Sequence, residues 1–163
     1  MNKVWFITGA ARGLGAATAK AALADGDRVV VSGRRIEPLT NVFAEYGERV
    51  LAVALDVTDE AQALAAVETA VAVFGRIDVL VNNAGYGQLA PFEENFASDA
   101  DKQFATNVFG VFNVCRAVLP VMRQQRSGQV FNLSSMGGVV GMGGAALYCA
   151  SKFAVEGFSE SLA

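Results

Sequence analysis

Val4-Trp5-Phe6-Ile7-Thr8-Gly9-Ala10-Ala11-Arg12-Gly13-Leu14-Gly15 joins an apolar, β-favouring run to a turn with glycine at three positions, and an alanine-rich segment follows at once. Val4 to Ile7 reads as a short buried strand and Gly13 to Ala24 as a helix, so the glycines sit at a strand-to-helix junction. Glycine there permits positive φ and lets backbone N–H groups approach a ligand with no Cβ in the way. The helix N-terminus adds a partial charge that favours an anion. The junction is therefore a candidate pyrophosphate site, although a glycine-rich turn that binds nothing has the same local sequence.

The rest of the chain supplies the context. Short apolar runs recur at Arg28 to Val31, Val50 to Leu55, Val79 to Val81 and Gln129 to Leu133. Each is too short and too apolar for a surface helix and predicts a buried strand. Between them lie Ala-, Leu-, Glu- and Lys-rich segments such as Glu60 to Phe74 and Asp101 to Met122, whose apolar residues recur at helical spacing. Thr58-Asp59-Glu60 predicts a helix N-cap and Gly75 a left-handed stop, while Asn82 to Pro91 predicts an irregular loop. Five strands alternating with five helices imply an α/β, Rossmann-type doubly wound parallel sheet with helices on both faces. With no internal repeat, linker or charge block, residues 1–163 are expected to form one domain.

Composition removes several chemistries. The chain has no histidine, which excludes Ser-His-Asp and Cys-His nucleophile systems and His-based metal sites. Two cysteines, Cys115 and Cys149, make neither a disulfide framework nor a thiolate zinc site and suit a reducing cytoplasm. A net charge of −3 argues against a nucleic-acid surface. There is no run of eighteen or more apolar residues and no basic, then apolar, leader, so neither membrane insertion nor a targeting segment is expected. The longest uncharged stretch, Ser127 to Ser151, holds six glycines, Asn132, Ser134 and Ser135, which suits a strand and loop.

The second strand ends in Ser32-Gly33-Arg34-Arg35, where a site for NAD would carry a carboxylate for the ribose 2′-hydroxyl. Arg34, with Arg12 from the glycine turn, instead suits a 2′-phosphate held through charge-assisted bonds, which favours NADP(H) over NAD(H). The alternative is a pair of solvated arginines on a surface loop.

Four further segments complete the pattern: Leu55-Asp56-Val57, Asn82-Asn83-Ala84-Gly85, Asn107, and Tyr148-Cys149-Ala150-Ser151-Lys152 with Ser135 thirteen residues before the tyrosine. With the glycine turn, whose first two glycines are separated by three residues, these motifs resemble the classical short-chain dehydrogenase/reductase family along essentially the whole chain. The resemblance implies hydride transfer between a nicotinamide and the carbonyl or secondary alcohol carbon of a small molecule. It implies cofactor contacts at Gly9, Ala11, Arg12, Gly13, Leu14, Gly15, Arg34, Asp56, Val57, Asn83, Ala84, Gly85, Tyr148 and Lys152. It also implies catalytic roles for Asn107, Ser135, Tyr148 and Lys152: Tyr148 as general acid/base, Ser135 on the substrate oxygen, Lys152 on the cofactor ribose and beside the phenol, and Asn107 positioning a relay water.

The spacing supports the chemistry. Residues four apart on a helix share a face with Cβ atoms about 5 to 6 Å apart, so the Lys152 ammonium can sit beside Tyr148. A free tyrosine ionises near pH 10, and using one near neutrality requires about 4 kcal/mol of preferential phenolate stabilisation. Taken singly, each residue has a blander reading: a core aromatic, a solvated lysine, a turn serine, a helix-packing asparagine. Cys149, with no histidine as base, reads as a packing residue. Asp56 reads as an adenine contact in preference to a catalytic carboxylate.

One feature departs from the family. The sequence ends at Ala163, eleven residues after Lys152, where relatives continue with two strands and the segments that close over substrate. The expectation is a cofactor-binding portion of a larger enzyme or a truncated product, with the fifth strand's edge and the last helices' apolar faces uncovered. A catalytically silent nucleotide-binding or interaction module is the alternative. The resemblance also implies a homo-oligomer, packed through Asp101 to Met122 and the helix from Tyr148 onward.

Overall fold

The computed structural model describes residues 2–162. Five strands, β1 (Val4–Ile7), β2 (Arg28–Gly33), β3 (Val50–Ala54), β4 (Val79–Asn82) and β5 (Gln129–Asn132), form one sheet in the order β3-β2-β1-β4-β5. Every neighbouring pair is parallel. Parallel neighbours require crossovers, and these contain the helices α1 (Gly13–Ala24), α2 (Ile36–Phe43), α3 (Glu60–Phe74), α4 (Ala97–Phe104) and α5 (Gly110–Gln125); α6 (Ala146–Leu162) follows β5. The doubly wound sheet expected from the alternation of elements is the observed architecture.

The pleat of β1 divides the core. Val4 and Phe6 join Val30, Leu80, the Ala63, Ala66, Val67 and Ala70 face of α3, and Val111, Val114 and Val118 of α5. Ile7, one pleat away, joins Val29, Val31, Val79 and Val81 under Ala19 and Leu23 of α1 and Leu39 and Phe43 of α2. Strands buried on both faces account for the runs of apolar residues without polar alternation.

Helix boundaries follow local chemistry. The Asp59 side chain accepts a hydrogen bond from the Gln62 N–H and caps α3, and Gly75 stops it at φ 77°. The segment expected over Asp101 to Met122 is longer: α4 and α5 are continuous through a π-helical turn, Ala105–Phe109, and run from Ala97 to Gln125. Its start is polar and was hidden from apolar periodicity; the Asp99 carboxylate there accepts from the Phe96 N–H at 3.0 Å. By length and composition this helix also meets the requirement for crossing a membrane, an 18-residue stretch of it having a mean hydropathy of 1.4. Core helices of soluble proteins share that property, and here α5 packs on α3 and β4.

β2 and β4 run two residues and one residue past the expected ends, because Gly33 pairs with Ala54 and Asn82 with Asn132, while β3 and β5 stop one residue short of the expected Leu55 and Leu133. β5 is a sheet edge, and a groove beside it is lined by Leu119, Met122, Val130, Phe131 and Leu162.

Candidate active site

The sheet order reverses between β1 and β4, since β1 leads outward to β2 while β4 leads outward to β5. In open α/β sheets the crevice at the carboxyl ends of two such strands is where ligands bind. The glycine turn leaves β1 there, and Asn83-Ala84-Gly85 leaves β4 beside it.

The two loops are tied by Thr8, which is buried. Its hydroxyl accepts from the Asn83 and Ala84 N–H groups, both at 3.0 Å. The Asn83 amide donates in return to the carbonyls of Thr8 (2.8 Å) and Gly9 (3.0 Å). Gly9 and Gly13 have φ of 65° and 58°, a region that side chains rarely adopt. Gly15 is required for close approach, because a Cβ there would lie 2.5 Å from the Asn83 amide nitrogen and 2.7 Å from the Gly9 carbonyl. α1 opens at Arg12 with no side-chain cap and no acidic residue in its first turn, and Leu14 is 70% exposed. Backbone donors at an uncapped helix start, reached past glycines, fit a dinucleotide pyrophosphate.

Arg34 stands exposed just beyond β2, and neither it nor Arg12 has an acidic ion-pair partner among the described residues. Asp56, just past β3, accepts from the N–H and hydroxyl of Thr58 and so shapes its own turn, followed by buried Val57.

Tyr148 and Lys152 lie on α6, with the Lys152 nitrogen 5.8 Å from the centre of the Tyr148 ring. Lys152 is only 8% exposed and donates to the Leu133 carbonyl at 2.6 Å. Burial pushes its ammonium below the usual lysine range. The Tyr148 hydroxyl has no hydrogen-bond partner among the described residues, which leaves it free for a ligand. Ser135 caps a short 3₁₀ turn by accepting from the Gly137 N–H at 3.1 Å, and a Cβ at Gly137 would lie 3.5 Å from the Tyr148 ring. Ser135 and Tyr148 thus flank the same glycine. Ser134 is directed elsewhere: its hydroxyl is buried without a partner against Gly138.

Asn107 sits in the π turn, 1% exposed. Its Nδ2 donates to the Tyr86 carbonyl (2.8 Å) and the Ser151 hydroxyl (3.1 Å), and its Oδ1 accepts from the Tyr86 N–H (3.1 Å). Both amide hydrogens are engaged, so a relay water would find only acceptor capacity on this side chain. A Cβ at Gly85 would lie 3.1 Å from Asn107 Oδ1 and 3.9 Å from Lys152 Nζ, so the backbone at Gly85 is packed between the two. Cys149 is buried, and its sulfur packs on Gly137.

The sequence profile of the short chain dehydrogenase family matches residues 3–163. The chain belongs to that family. An oxidoreductase of Botryotinia fuckeliana, BOA17, is 51% identical over 164 residues, covering 100% of this chain and 60% of the relative. A solved short-chain dehydrogenase of Streptomyces avermitilis matches with a TM-score of 0.96 at 44% identity, over 100% of this chain and 60% of that one. A Burkholderia phymatum member in complex with NAD (TM-score 0.95, 32% identity, 99% and 59% covered) and ElxO with NADP bound (0.91, 33%, 97% and 65%) share the fold. The chain therefore spans about 60% of the length of the first of these relatives.

Sequence reasoning missed Thr8, Ser151 and Gln103, all buried polar side chains that join site segments. Thr8 was signalled by its place at the strand's end. Ser151 and Gln103 carried no signal, since a buried serine or glutamine on a helix has the spacing of an exposed one.

The burial of Lys152 has a measurable consequence. Because its folded pKa lies below the ordinary value of 10.5, the unfolded chain holds more protons as pH rises toward that value, and stability rises with it. In the complete protein, urea midpoints for wild type and Lys152→Met should shift in favour of wild type as pH rises toward 10.5. A difference that stays constant with pH would remove the buried-ammonium argument.

Proposed function

We propose that this short chain dehydrogenase is an NADP(H)-dependent oxidoreductase moving a hydride between the nicotinamide and the carbonyl or secondary alcohol carbon of a small molecule. The observation that carries the reading is the pair Tyr148 and Lys152, one helical turn apart, against the Gly85 and Gly87 backbone of the loop that Asn83 ties to the uncapped glycine turn, where the sheet order reverses. When bound, the nicotinamide dinucleotide supplies or accepts the hydride.

The chain's residues handle binding and the proton. Backbone groups from Gly9 through Ala11 and Arg12 to Gly13, Leu14 and Gly15 hold the pyrophosphate, and Arg34 with Arg12 holds the 2′-phosphate. Asp56 and Val57 border the adenine, and Asn83, Ala84 and Gly85 border the ribose side, where Asn83 acts mainly by fixing the turn. Tyr148 gives or takes the proton on the substrate oxygen. The Ser135 hydroxyl accepts from Gly137, which leaves its own hydrogen free to donate to that oxygen. Lys152 uses one N–H on Leu133, leaving two for the cofactor ribose, and its charge favours the phenolate. Asn107 holds the site together and offers its remaining acceptor capacity to a relay water.

The same reading carries a cytoplasmic homo-oligomer packed through α5 and α6. Phe109 in the π turn and Phe153 on α6, 54% and 47% exposed, support that surface.

The test is consumption of NADPH by the complete protein against a panel of aldehydes and ketones; no turnover with any member would sink the reading. Cofactor choice is tested separately. Arg34→Asp should weaken NADPH about tenfold to a hundredfold, with NADH affinity kept or improved, because it removes a charge-assisted bond and adds repulsion. Equal loss for both cofactors in fluorescence titrations would exclude the 2′-phosphate role.

A further inference from the structure

We infer that Gln103 is a positioning residue of the active site, acting on Tyr148 through the backbone of residues 86–88. Gln103 is fully buried at the end of α4. Its Oε1 accepts from the Gln88 N–H at 2.7 Å, and its Nε2 donates to the Tyr86 carbonyl at 2.6 Å. Four residues on, Asn107 accepts from the Tyr86 N–H and donates to the same Tyr86 carbonyl. Two side-chain amides thus bind three backbone groups of a loop segment that belongs to no helix or strand.

That segment touches the reacting tyrosine. A Cβ at Gly87 would lie 3.4 Å from Cδ2 of Tyr148 and 3.7 Å from its Cε2 and Cγ, so the backbone at 87 rests against the ring. The Tyr148 backbone is tied separately: its carbonyl accepts from the Ser151 hydroxyl at 2.7 Å, and that hydroxyl in turn accepts from Asn107. The loop against the ring is held by Gln103 and Asn107 together, and of the two Gln103 alone takes the Gln88 N–H. A buried glutamine with one acceptor and one donor both engaged is specific to this geometry, because an apolar residue of equal volume would leave the Gln88 N–H and half of the Tyr86 tie without a partner. Among the described residues Gln103 bonds to the loop backbone and makes no hydrogen bond to Tyr148, so its effect is on placement.

The inference rests on Tyr148 being the acid/base, and the experiment separates the two. In the complete protein Gln103→Met should speed hydrogen exchange at the Gln88 amide by at least about tenfold, with exchange in the β1 and β4 strands unchanged. Turnover with the best carbonyl substrate should fall between about tenfold and a hundredfold in kcat, since small misplacements of a reacting group carry that cost, while NADPH affinity stays within about twofold. Unchanged exchange at 86–88, unchanged kcat, or a uniform rise in exchange across the sheet would each overturn the proposal. Should Gln103→Met not fold, Gln103→Asn, which keeps the amide but falls short of both partners, gives the same reading. If the protein reduces no carbonyl at all, the dehydrogenase reading fails, and the exchange result still decides whether Gln103 holds the loop.

Discussion

Tyr148→Phe in the complete protein is expected to lower kcat by about two to four orders of magnitude, the range that a positioned general acid or base contributes. NADPH affinity should stay nearly unchanged. In the folded chain the Tyr148 hydroxyl makes no intramolecular hydrogen bond among the described residues, so its removal breaks nothing that holds the site together. The ring stays, and with it the packing against the backbone at Gly87 and Gly137 and the approach of Lys152 at 5.8 Å. A loss of turnover in Tyr148→Phe therefore reads as loss of the transferable proton alone. On the proposed reading, Lys152 and Ser135 would still bind cofactor and polarise the substrate oxygen, which sets the residual rate. Wild-type kcat in the variant, or a parallel loss of NADPH binding, would remove Tyr148 from the acid/base role.

How much of this was legible in the sequence follows from where information is local. β1, α1 and α3 were placed to the residue because their limits depend on neighbours in the chain: an apolar run meeting glycine, an Asp59 cap, a left-handed Gly75. The glycine turn and the Tyr148, Lys152 pair were legible for the same reason, since their spacing is their geometry. The ties between segments were not. Thr8 to Asn83, Asn107 to Ser151 and Gln103 to Gln88 join residues 75, 44 and 15 apart, and each donor or acceptor type has many non-specific uses on a surface. The long helix shows the same limit. Its polar first turn lies before the expected start at Asp101, yet tertiary contact with α3, β4 and α6 carries the helix from there through Pro120 to Gln125, and the π turn that places Asn107 has no one-dimensional signature.

Gly15→Ala should cost the most at the cofactor end. A methyl there meets backbone on one side and the Asn83 amide on the other, at 2.7 and 2.5 Å, with the Ala10 Cα at 3.1 Å, so neither neighbour can yield by a rotamer change alone. Either the turn opens or the Asn83 amide leaves the Thr8 and Gly9 carbonyls, and both responses move the backbone donors at the start of α1. Overpacking of this kind costs about 1 to 3 kcal/mol in stability. The displaced donors should weaken NADPH by at least about a hundredfold, equivalent to about 2.8 kcal/mol. Gly13→Ala separates the two causes: its Cβ would meet nothing within 4 Å, so only the positive φ of 58° is penalised and the carbonyl ties to Asn83 survive. Thermal melts and NADPH titrations of both variants check the order, with Gly15→Ala the worse in each. If Gly15→Ala bound NADPH like wild type, the glycine turn would not be where the pyrophosphate lies, and the phosphate donors would have to be sought elsewhere along the carboxyl edge of the sheet.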